Sequence, residues 1–386
     1  MKLNSLQRHN SFMSRMVSSY DIYDIPREVG QKKKKKAELT AEDLAEIRFE
    51  LQKRNYTLEE KIGEGGYAHI FKLTNSVYNQ SFALKAIYHG FEEFENKMNA
   101  SFQAECEALM NLDYPNIIKI YDTFSSKKFH YIILEYCPLG SLKDYSSPLS
   151  IQQFRDISLT ILKTIKYCHD KGFAHCDIKP SNFLIDIHGK IKLADFGLSL
   201  HFYDDTNNEI KKSTRFGGSK PFMAPELLRH QAYDPRKADI WSVAVTLFFL
   251  YTKRFPWSST ELSIMKQEII EGAIKFPPNI NPKVGWFLTS MFIVQPEHRP
   301  LADIIIQNDF YKDIQIQKMQ ARGLTLIEKN FLNKSQKQSP AAQSQKPYLL
   351  CNKLPLISED RAGSHRQKKM SLVGRTFPMY SFKTHA

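Results

Sequence analysis

The chain has 386 residues, of which 42% are hydrophobic and 25% are charged. This composition excludes a wholly disordered chain and a collagen-like fibre, and the length suffices for two or three domains or for one large two-lobed domain. The formal net charge is +13, but residues 318–386 hold thirteen Lys and Arg against three Asp and Glu, whereas residues 51–317 hold thirty-one against thirty. A globular domain that grips nucleic acid usually carries its own basic surface, so the nearly neutral middle argues against that role.

Membrane insertion and secretion are also disfavoured. The longest nearly apolar run, Ile240 to Tyr251, is too short to cross a bilayer as a helix, so we expect a buried core helix there. The residues from Met1 to Ser5 lack the apolar core of a signal peptide. The five cysteines, at 106, 137, 168, 176 and 351, include no close pair with metal-ligand spacing, which predicts reduced thiols. We therefore expect no transmembrane segment and a cytoplasmic protein, with the nucleus as the alternative.

The two ends of the chain differ in composition from its middle. Residues 1–38 are polar and contain the run Lys32–Lys36, whose like charges repel one another and disfavour compact structure. We expect a flexible basic arm, with nuclear import or attraction to anionic lipid as weaker alternatives. Residues 318–386 are rich in Gln, Ser and Lys, which predicts a disordered basic tail. This tail is a candidate for binding regulatory partners.

A short helix is predicted between the arm and the middle of the chain. The residues Thr40–Asp43 have the pattern of a helix start, and Leu44, Ile47 and Leu51 follow at helical spacing. We therefore expect a helix or linker over residues 39–55.

The hydrophobic pattern in the middle of the chain changes near residue 136. Before that point, short apolar or β-branched runs separated by turn residues predict a mainly antiparallel sheet. These runs are Tyr56–Leu58, His69–Leu73, Phe82–Ile87 and Tyr131–Leu134. One helix is predicted among them, because Phe102, Cys106, Leu109 and Met110 step at helical spacing. Longer helical runs follow, at Phe154–His169, Ala238–Tyr251 and Glu261–Glu271. The pattern predicts a small strand-rich lobe followed by a larger helical lobe.

A glycine-rich stretch lies between the first two predicted strands. It reads Ile62-Gly63-Glu64-Gly65-Gly66-Tyr67-Ala68-His69-Ile70. Its glycines allow the backbone to turn tightly and to approach a phosphate with amide N–H donors, although a plain hairpin turn has the same appearance. A strand rather than a helix follows, and Gly-Lys-Ser/Thr is absent, so the stretch fits neither a dinucleotide-binding fold nor a Walker loop.

Four further segments carry groups suited to phosphoryl transfer. Lys85 lies in an apolar strand, where its ammonium needs a carboxylate or the phosphates of a ligand as a partner. One short loop holds Asp177, Lys179 and Asn182, which supply a base for a hydroxyl, a cation for a migrating phosphoryl group and an oxygen ligand for Mg²⁺. The segments Asp195-Phe196-Gly197 and Ala224-Pro225-Glu226 complete the set.

The order and spacing of these motifs resemble those of the eukaryotic protein kinase family, serine/threonine type, from about Tyr56 to Phe310. The resemblance implies an α+β, two-lobed protein kinase fold, with a small antiparallel-sheet N-lobe that has one main helix and a larger, mostly helical C-lobe. It implies a kinase domain over residues 56–312, with the N-lobe at 56–135 and the C-lobe at 136–312. It further implies an enzyme that uses ATP and Mg²⁺ to phosphorylate protein substrates.

The resemblance also implies roles for single residues. Asp177 is expected to be the catalytic base and Lys179 to stabilise the γ-phosphate, while Asn182 and Asp195 are expected to bind Mg²⁺. Asp239 is expected to brace the catalytic loop. The residues expected to bind ATP are Ile62, Gly63, Glu64, Gly65, Gly66, Tyr67, Ala68, His69, Ile70, Ala83, Lys85, Glu105, Glu135, Cys137 and Leu184.

Two ion pairs follow from the same resemblance. Lys85 is expected to pair with Glu105 rather than with Glu107, because Glu105 has the family's usual offset from the next helix-to-strand turn. Glu226 is expected to pair with Arg299.

The loop around the catalytic aspartate favours Ser and Thr over Tyr as the acceptor, because tyrosine-specific relatives usually carry alanine and arginine there. Ser219 fits the same preference, since relatives of this type usually have Thr at its position, and its hydroxyl is expected to bridge Asp177 and Lys179.

Departures from the family pattern carry their own predictions. Ala68 replaces the third glycine of the loop, which is expected to reshape the loop tip without blocking ATP. Cys176 replaces an arginine that anchors a phosphate on the activation loop, and a thiol cannot do so. We therefore expect activity that does not depend strongly on phosphorylation of Ser213 or Thr214.

Two serines at the substrate site form another departure. Ser141 and Ser181 stand where relatives that prefer an arginine upstream of the acceptor commonly have acidic residues. No strong preference for upstream arginine is therefore expected.

Two other functional classes remain open at this point. A pseudokinase would keep the fold and bind ATP as a scaffold without transferring phosphate, but Lys85, Glu105, Asp177, Asn182 and Asp195 are all present. A small-molecule kinase shares the early motifs but is disfavoured by the segments that follow the Asp-Phe-Gly motif.

Overall fold

The computed structural model describes residues 39–65, 68–89, 95–203 and 209–312. Several predictions lie outside the described residues. They are the basic arm at 1–38 with its lysine run, the tail at 318–386, Gly66, Tyr67 and Cys351.

The first described element is helix α1, Ala41–Gln52. Its start is capped on both sides: the Thr40 hydroxyl accepts a hydrogen bond from the Asp43 amide, and the Asp43 carboxylate accepts one from the Thr40 amide. Ile47 and Leu51 are fully buried. They join an apolar cluster with residues of the adjacent sheet, and Asp43 also pairs with Lys128 at 2.8 Å. The helix thus covers one face of the sheet.

The N-lobe is a five-stranded antiparallel sheet. Its strands are β1 (Tyr56–Glu64), β2 (Ala68–Asn75), β3 (Gln80–Tyr88), β4 (Ile120–Ser125) and β5 (Phe129–Glu135), in the spatial order β1-β2-β3-β5-β4. The sequence pattern does not predict β4, because this edge strand is short, partly exposed and irregular between Ile120 and Asp122. The other four strands contain the predicted runs.

The main helix of the N-lobe is α2, Glu95–Asn111. Its buried side includes Glu105, Cys106 and Leu109. The helix predicted from Phe102, Cys106, Leu109 and Met110 is thus present, although Met110 itself is 60% exposed. A residue that directly follows Leu109 is turned by about 100° around the helix, which carries it to the solvent side.

The C-lobe is mostly helical. Its helices are α3 (Ile151–Asp170), α4 (Pro225–Leu228), α5 (Pro235–Thr252), α6 (Leu262–Glu271), α7 (Pro282–Thr289) and α8 (Ala302–Ile306). Short strands β6 (Phe173–Ala174), β7 (Phe183–Ile185), β8 (Ile191–Leu193) and β9 (Leu200–His201) form two small antiparallel pairs, β6 with β9 and β7 with β8. Four 3₁₀ turns complete the described part, at Leu142–Asp144, Pro180–Asn182, Lys220–Phe222 and Asp309–Tyr311.

The core of the C-lobe forms around α3 and α5. Helix α5 is buried almost all round, as the apolar run from Ile240 predicts, and Ile240, Ala244 and Phe248 have no exposed surface. None of the helices in the described part of the chain is long and apolar enough to span a membrane. The predicted α+β, two-lobed architecture is confirmed, with its small antiparallel sheet, one main N-lobe helix and larger helical lobe.

Candidate active site

A cleft of about 830 Å³ is lined by residues of both lobes. Fifteen residues that the sequence predicts for ATP, metal or catalysis line it. They are Ile62, Gly63, Glu64, Gly65, Ala68, Ile70, Ala83, Lys85, Glu105, Glu135, Cys137, Asp177, Asn182, Leu184 and Asp195. Lys179 does not line the cleft itself but is bonded to Asp177, which does. His69 does not line the cleft, because side chains alternate along β2 and its neighbour Ile70 takes the cleft side.

The glycine-rich stretch forms the described ends of the β1–β2 hairpin. The Gly65 amide donates to the Ala68 carbonyl at 2.6 Å, and Gly63 lies opposite Ile70 in the register. A Cβ added at Gly63 would meet Ile70 at only 3.5 Å, an ordinary contact, and its φ is not in the left-handed region. The packing of the protein therefore does not itself require glycine at position 63.

Three charged side chains meet at the back of the cleft. Lys85 Nζ donates to Glu105 Oε2 at 2.6 Å and to Asp195 Oδ1 at 2.7 Å. The Lys85 ammonium holds the pKa of Asp195 well below its usual range, against the opposing effect of burial. Burial by itself lowers the pKa of Lys85, but the carboxylates of Asp195 and Glu105 outweigh it and raise that pKa. The lysine is therefore charged, and Asp195 is an ionised carboxylate.

A second network surrounds Asp177 on the facing wall. Its Oδ2 accepts from Lys179 Nζ at 2.7 Å and its Oδ1 accepts from the Ser219 amide at 2.9 Å. Lys179 also donates to the Ser219 hydroxyl at 2.9 Å. Ser219 thus contacts both residues, as expected, but it reaches Asp177 through its amide rather than its hydroxyl. Asn182 Nδ2 donates to the Asp177 carbonyl at 2.8 Å, which ties the two ends of the loop together.

The backbone around Asp177 is constrained. Cys176 has φ of 63°, in the left-handed region that disfavours side chains. Asp239 on α5 accepts hydrogen bonds from the amides of His175 at 2.8 Å and Cys176 at 2.9 Å, and from His169 Nε2 at 2.9 Å. These bonds stabilise the strained turn, which positions the carboxylate that follows it.

The oxygen atoms near the cleft suit a hard cation that is shared with a ligand. Asn182 uses its amide nitrogen within the protein, which leaves its carbonyl oxygen, and Asp195 uses Oδ1 for Lys85, which leaves Oδ2. Within the described residues, no group of three or more His, Cys, Asp or Glu could hold a metal ion. Mg²⁺ usually takes one or two protein ligands together with phosphate oxygens and water, so this pair fits Mg²⁺ bound along with a nucleotide.

The segment that joins the lobes lines the cleft with Glu135, Tyr136 and Cys137. The carboxylate of Glu135 is engaged by Lys192 Nζ at 2.8 Å and by the Lys119 amide at 3.2 Å. Leu134 and Cys137 are buried beside it. The Glu135 side chain is therefore engaged within the protein.

Helix α2 is fastened to the sheet by a histidine that sequence reasoning did not single out. His130 on β5 lies between His89 and Phe102, with ring centroids 4.1 and 4.4 Å away. Its Nε2 lies 2.7 Å from Asn99 Oδ1 and its Nδ1 lies 2.7 Å from Ser125 Oγ. Burial, and then the neighbouring His89, lower the pKa of His130 to about 4. The ring is therefore neutral at pH 7.

This histidine should make folding stability depend on pH. In the unfolded chain its pKa is about 6.5, so the unfolded state binds the proton more tightly. The stability associated with the neutral His130 ring is fully present above pH 6.5. It is lost as the pH falls from 6.5 towards 4, which lowers the free energy of unfolding by up to about 1.4 kcal/mol per pH unit. We expect the free energy of unfolding to fall less steeply over this range in His130→Phe, measured by urea unfolding. The exposed His188→Gln is the matched control, and an equal slope in wild type and His130→Phe would contradict the prediction.

Comparisons with known proteins agree with this geometry. The family model described as "Protein kinase domain" matches residues 56–311. The carbon catabolite-derepressing protein kinase of Saccharomyces cerevisiae is 30% identical over 261 residues, which cover 67% of this chain and 40% of the relative. Sperm motility kinase 2A of Mus musculus is 32% identical over 200 residues, covering 51% of this chain and 39% of that protein. The chain thus spans well under two thirds of the length of these curated relatives.

Proposed function

This chain belongs to the protein kinase family, and we propose that it transfers the γ-phosphate of ATP, with Mg²⁺, to serine and threonine hydroxyls of protein substrates. One observation carries the proposal. The Lys85–Glu105–Asp195 cluster and Asp177, with Lys179 bonded to it, lie at one cleft between the lobes. A phosphate-binding cation and a base for a hydroxyl are thus available to the same bound nucleotide.

The proposed reaction uses each group once. Lys85 holds the nucleotide phosphates, and its contact with Glu105 keeps its ammonium in place. Asp177 accepts the proton of the substrate hydroxyl as the hydroxyl oxygen bonds to the γ-phosphorus and the bond from the β–γ bridging oxygen breaks, which releases ADP. Lys179 lies beside the transferred group and offsets its negative charge. Asn182 and Asp195 would hold Mg²⁺, which would supply positive charge to the phosphate oxygens.

The preference for Ser and Thr is supported by the short distance between the Asp177 carboxylate and the segment that contains Ser219. The Ser219 amide bonds directly to Asp177, so a substrate backbone resting on this segment lies close to the carboxylate. Lys179 lies between them and bonds to both. A short side chain delivers its hydroxyl to such a base more readily than a tyrosine ring does.

The test is phosphate transfer from labelled ATP with Mg²⁺ to a generic protein, followed by identification of the phosphorylated amino acid. We expect phosphoserine and phosphothreonine, with Asp177→Asn as the impaired control. Phosphotyrosine as the main product would overturn the acceptor assignment. ATP binding by a folded wild type without any transfer would favour the alternative, an ATP-binding pseudokinase scaffold.

Substrate selection should show little demand for arginine upstream of the acceptor. Ser141 and Ser181 both line the cleft, and they carry no charge. Exposed cations lie on the nearby segment, at Lys212, Arg215 and Lys220. One exposed carboxylate, Asp144, lines the cleft and accepts from the Ser141 hydroxyl at 2.7 Å. On a peptide array we expect no strong enrichment of upstream arginine. A profile dominated by such arginines would refute this.

A variant that adds a negative charge at Ser181 provides the matched comparison on the same peptide array. Ser181 Oγ is buried and has no hydrogen-bond partner within the described structure, so Ser181→Glu breaks no such bond. The variant places a carboxylate beside the cleft and should raise the preference for arginine.

The segments that flank the kinase domain have proposed roles as well. We propose that the kinase domain covers residues 56–312, that residues 39–55 pack on it as an added element, and that the basic tail at 318–386 recruits regulatory partners. The caps and buried leucine of α1 support the second of these.

A further inference from the structure

The position of helix α2 decides whether Glu105 meets Lys85. Two hydroxyl groups fasten this helix to the segment that follows Asp195. Ser101 Oγ, on the helix, donates to the Gly197 carbonyl at 2.9 Å. Ser199 Oγ, on the segment, donates to the Ala104 carbonyl at 3.2 Å. One bond thus runs in each direction between the same two elements.

The first of these bonds lies next to the Glu105 carboxylate. Ser101 precedes Glu105 by four residues, so both side chains lie on one face of the helix. A Cβ placed on Gly197 would lie 2.6 Å from Ser101 Oγ and 3.7 Å from Glu105 Oε2. The helix and the segment are therefore in close contact at the Glu105 carboxylate, and glycine at 197 permits that contact.

The second bond is partly buried. Ser199 is 3% exposed, and its partner carbonyl belongs to Ala104, the residue directly before Glu105. The Ala104 carbonyl also accepts the helical hydrogen bond from the amide four residues later, so the group that depends on this contact is the buried Ser199 hydroxyl. This bond favours the position of α2 in which Ala104 faces the segment that follows Asp195.

The other side of α2 is fastened to the sheet. Asn99 Oδ1 is 2.7 Å from His130, and Phe102 stacks on the same ring. Both residues belong to the first half of the helix, as Ser101 does. The helix is thus held between the sheet and the segment after Asp195 by contacts that involve no phosphate.

The residue before the catalytic base offers no cation to a phosphate on residues 209–219. Cys176 directs its thiol to the Ala174 carbonyl at 3.8 Å, and its amide is bonded to Asp239. The backbone of residues 209–219 is held without Cys176, since Ser213 and Tyr233 exchange two main-chain hydrogen bonds of 2.8 and 3.0 Å. Helix α2 and residues 209–219 are therefore both held by uncharged contacts.

We propose that Ser101 and Ser199 are positioning residues that hold Glu105 on Lys85, so that helix α2 reaches its catalytic position without a phosphate on the segment at 209–219. The inference rests on the proposed kinase activity. Ser101 lines the cleft, but in this proposal each serine acts through Glu105 rather than on substrate or nucleotide.

The first experiment compares steady-state kinetics of Ser101→Ala and Ser101→Thr with the wild type on a peptide substrate. Loss of one neutral hydrogen bond should lower kcat by about 3- to 10-fold in Ser101→Ala. Ser101→Thr keeps a hydroxyl donor and should restore most of it. The peptide KM should stay within about twofold, because the peptide does not contact α2 in this proposal. The exposed Ser263→Ala is the control for loss of a serine hydroxyl. An unchanged kcat in Ser101→Ala would overturn the proposal.

A double-mutant cycle separates positioning from a general effect on stability. If Ser101 acts through Glu105, then Ser101→Ala should have little further effect on kcat in a Glu105→Gln background. Effects that multiply independently would overturn the proposal.

The last measurement addresses phosphorylation. Wild type treated with phosphatase, and the Ser213→Ala/Thr214→Ala variant, should keep kcat within about threefold of the untreated enzyme. A folded variant that loses more than tenfold would overturn the inference while leaving the kinase assignment intact. Absence of transfer from every form of the wild type would instead count against the proposed function on which the inference rests.

Discussion

Replacing Asp177 with asparagine is expected to lower kcat by about 10²- to 10⁴-fold, the usual contribution of a positioned general base. The substitution is nearly isosteric. An amide oxygen can still accept from the Ser219 amide, which now donates to Asp177 Oδ1 at 2.9 Å. It cannot accept the substrate proton, and it no longer pairs its charge with Lys179. ATP binding should persist, because Lys85 and Asp195 are untouched.

The measurement combines transfer from labelled ATP with a separate ATP-binding titration. Asp186→Asn is the matched control, since Asp186 is also a buried carboxylate of the C-lobe, but it bonds to the amides of His188 and Lys190 within a turn. We expect its kcat to stay near that of the wild type. Full activity in Asp177→Asn would contradict the assignment of the base.

Replacing Arg299 with methionine is expected to cost about 3–5 kcal/mol of folding free energy, as removal of one partner of a buried ion pair commonly does. Arg299 has no exposed surface and holds both carboxylate oxygens of Glu226, at 2.8 and 3.1 Å. It also donates to the carbonyls of Ile293 at 2.8 Å, Lys237 at 2.7 Å and Val294 at 3.3 Å. Methionine fills part of the volume but leaves these oxygens and a buried charge without a donor.

The expected result is a Tm lower by roughly 6–20 °C, measured by thermal unfolding. The exposed pair of Lys166 and Asp170 provides the control, because Lys166→Met should change the folding free energy by less than about 1 kcal/mol. The double variant Glu226→Gln/Arg299→Met removes both charges and should recover part of the loss. A shift below about 2 °C in Arg299→Met would contradict the stabilising role of this pair.

Motifs within one short stretch could be predicted as groups from the sequence. Asp177, Lys179 and Asn182 lie within six residues, so a single loop must bring them near one another, whatever the rest of the chain does. The helix over Thr40–Asp43 and the buried helix from Ile240 follow likewise from local capping and apolar periodicity.

Residues at the edges of the pattern were predicted less well. His69 belongs to the glycine-rich stretch by sequence, but the pairing of β2 turns it away from the cleft. Met110 continues an apolar spacing but lies on the solvent side of α2. In both cases the decisive quantity is the direction of a side chain relative to a neighbouring element, which composition alone does not contain.

The sequence by itself determined the two-lobed α+β architecture, the family resemblance and the identity of the charged residues at the cleft. Only the tertiary structure decided how those charges meet, since Lys85 and Asp195 are 110 positions apart and lie within 2.7 Å. It also decided the bonds of Ser101 and Ser199, for which the sequence has no signal. The reason is physical: their acceptors are backbone carbonyls, which every residue carries, so only the packing of helix against segment selects which carbonyl each hydroxyl meets.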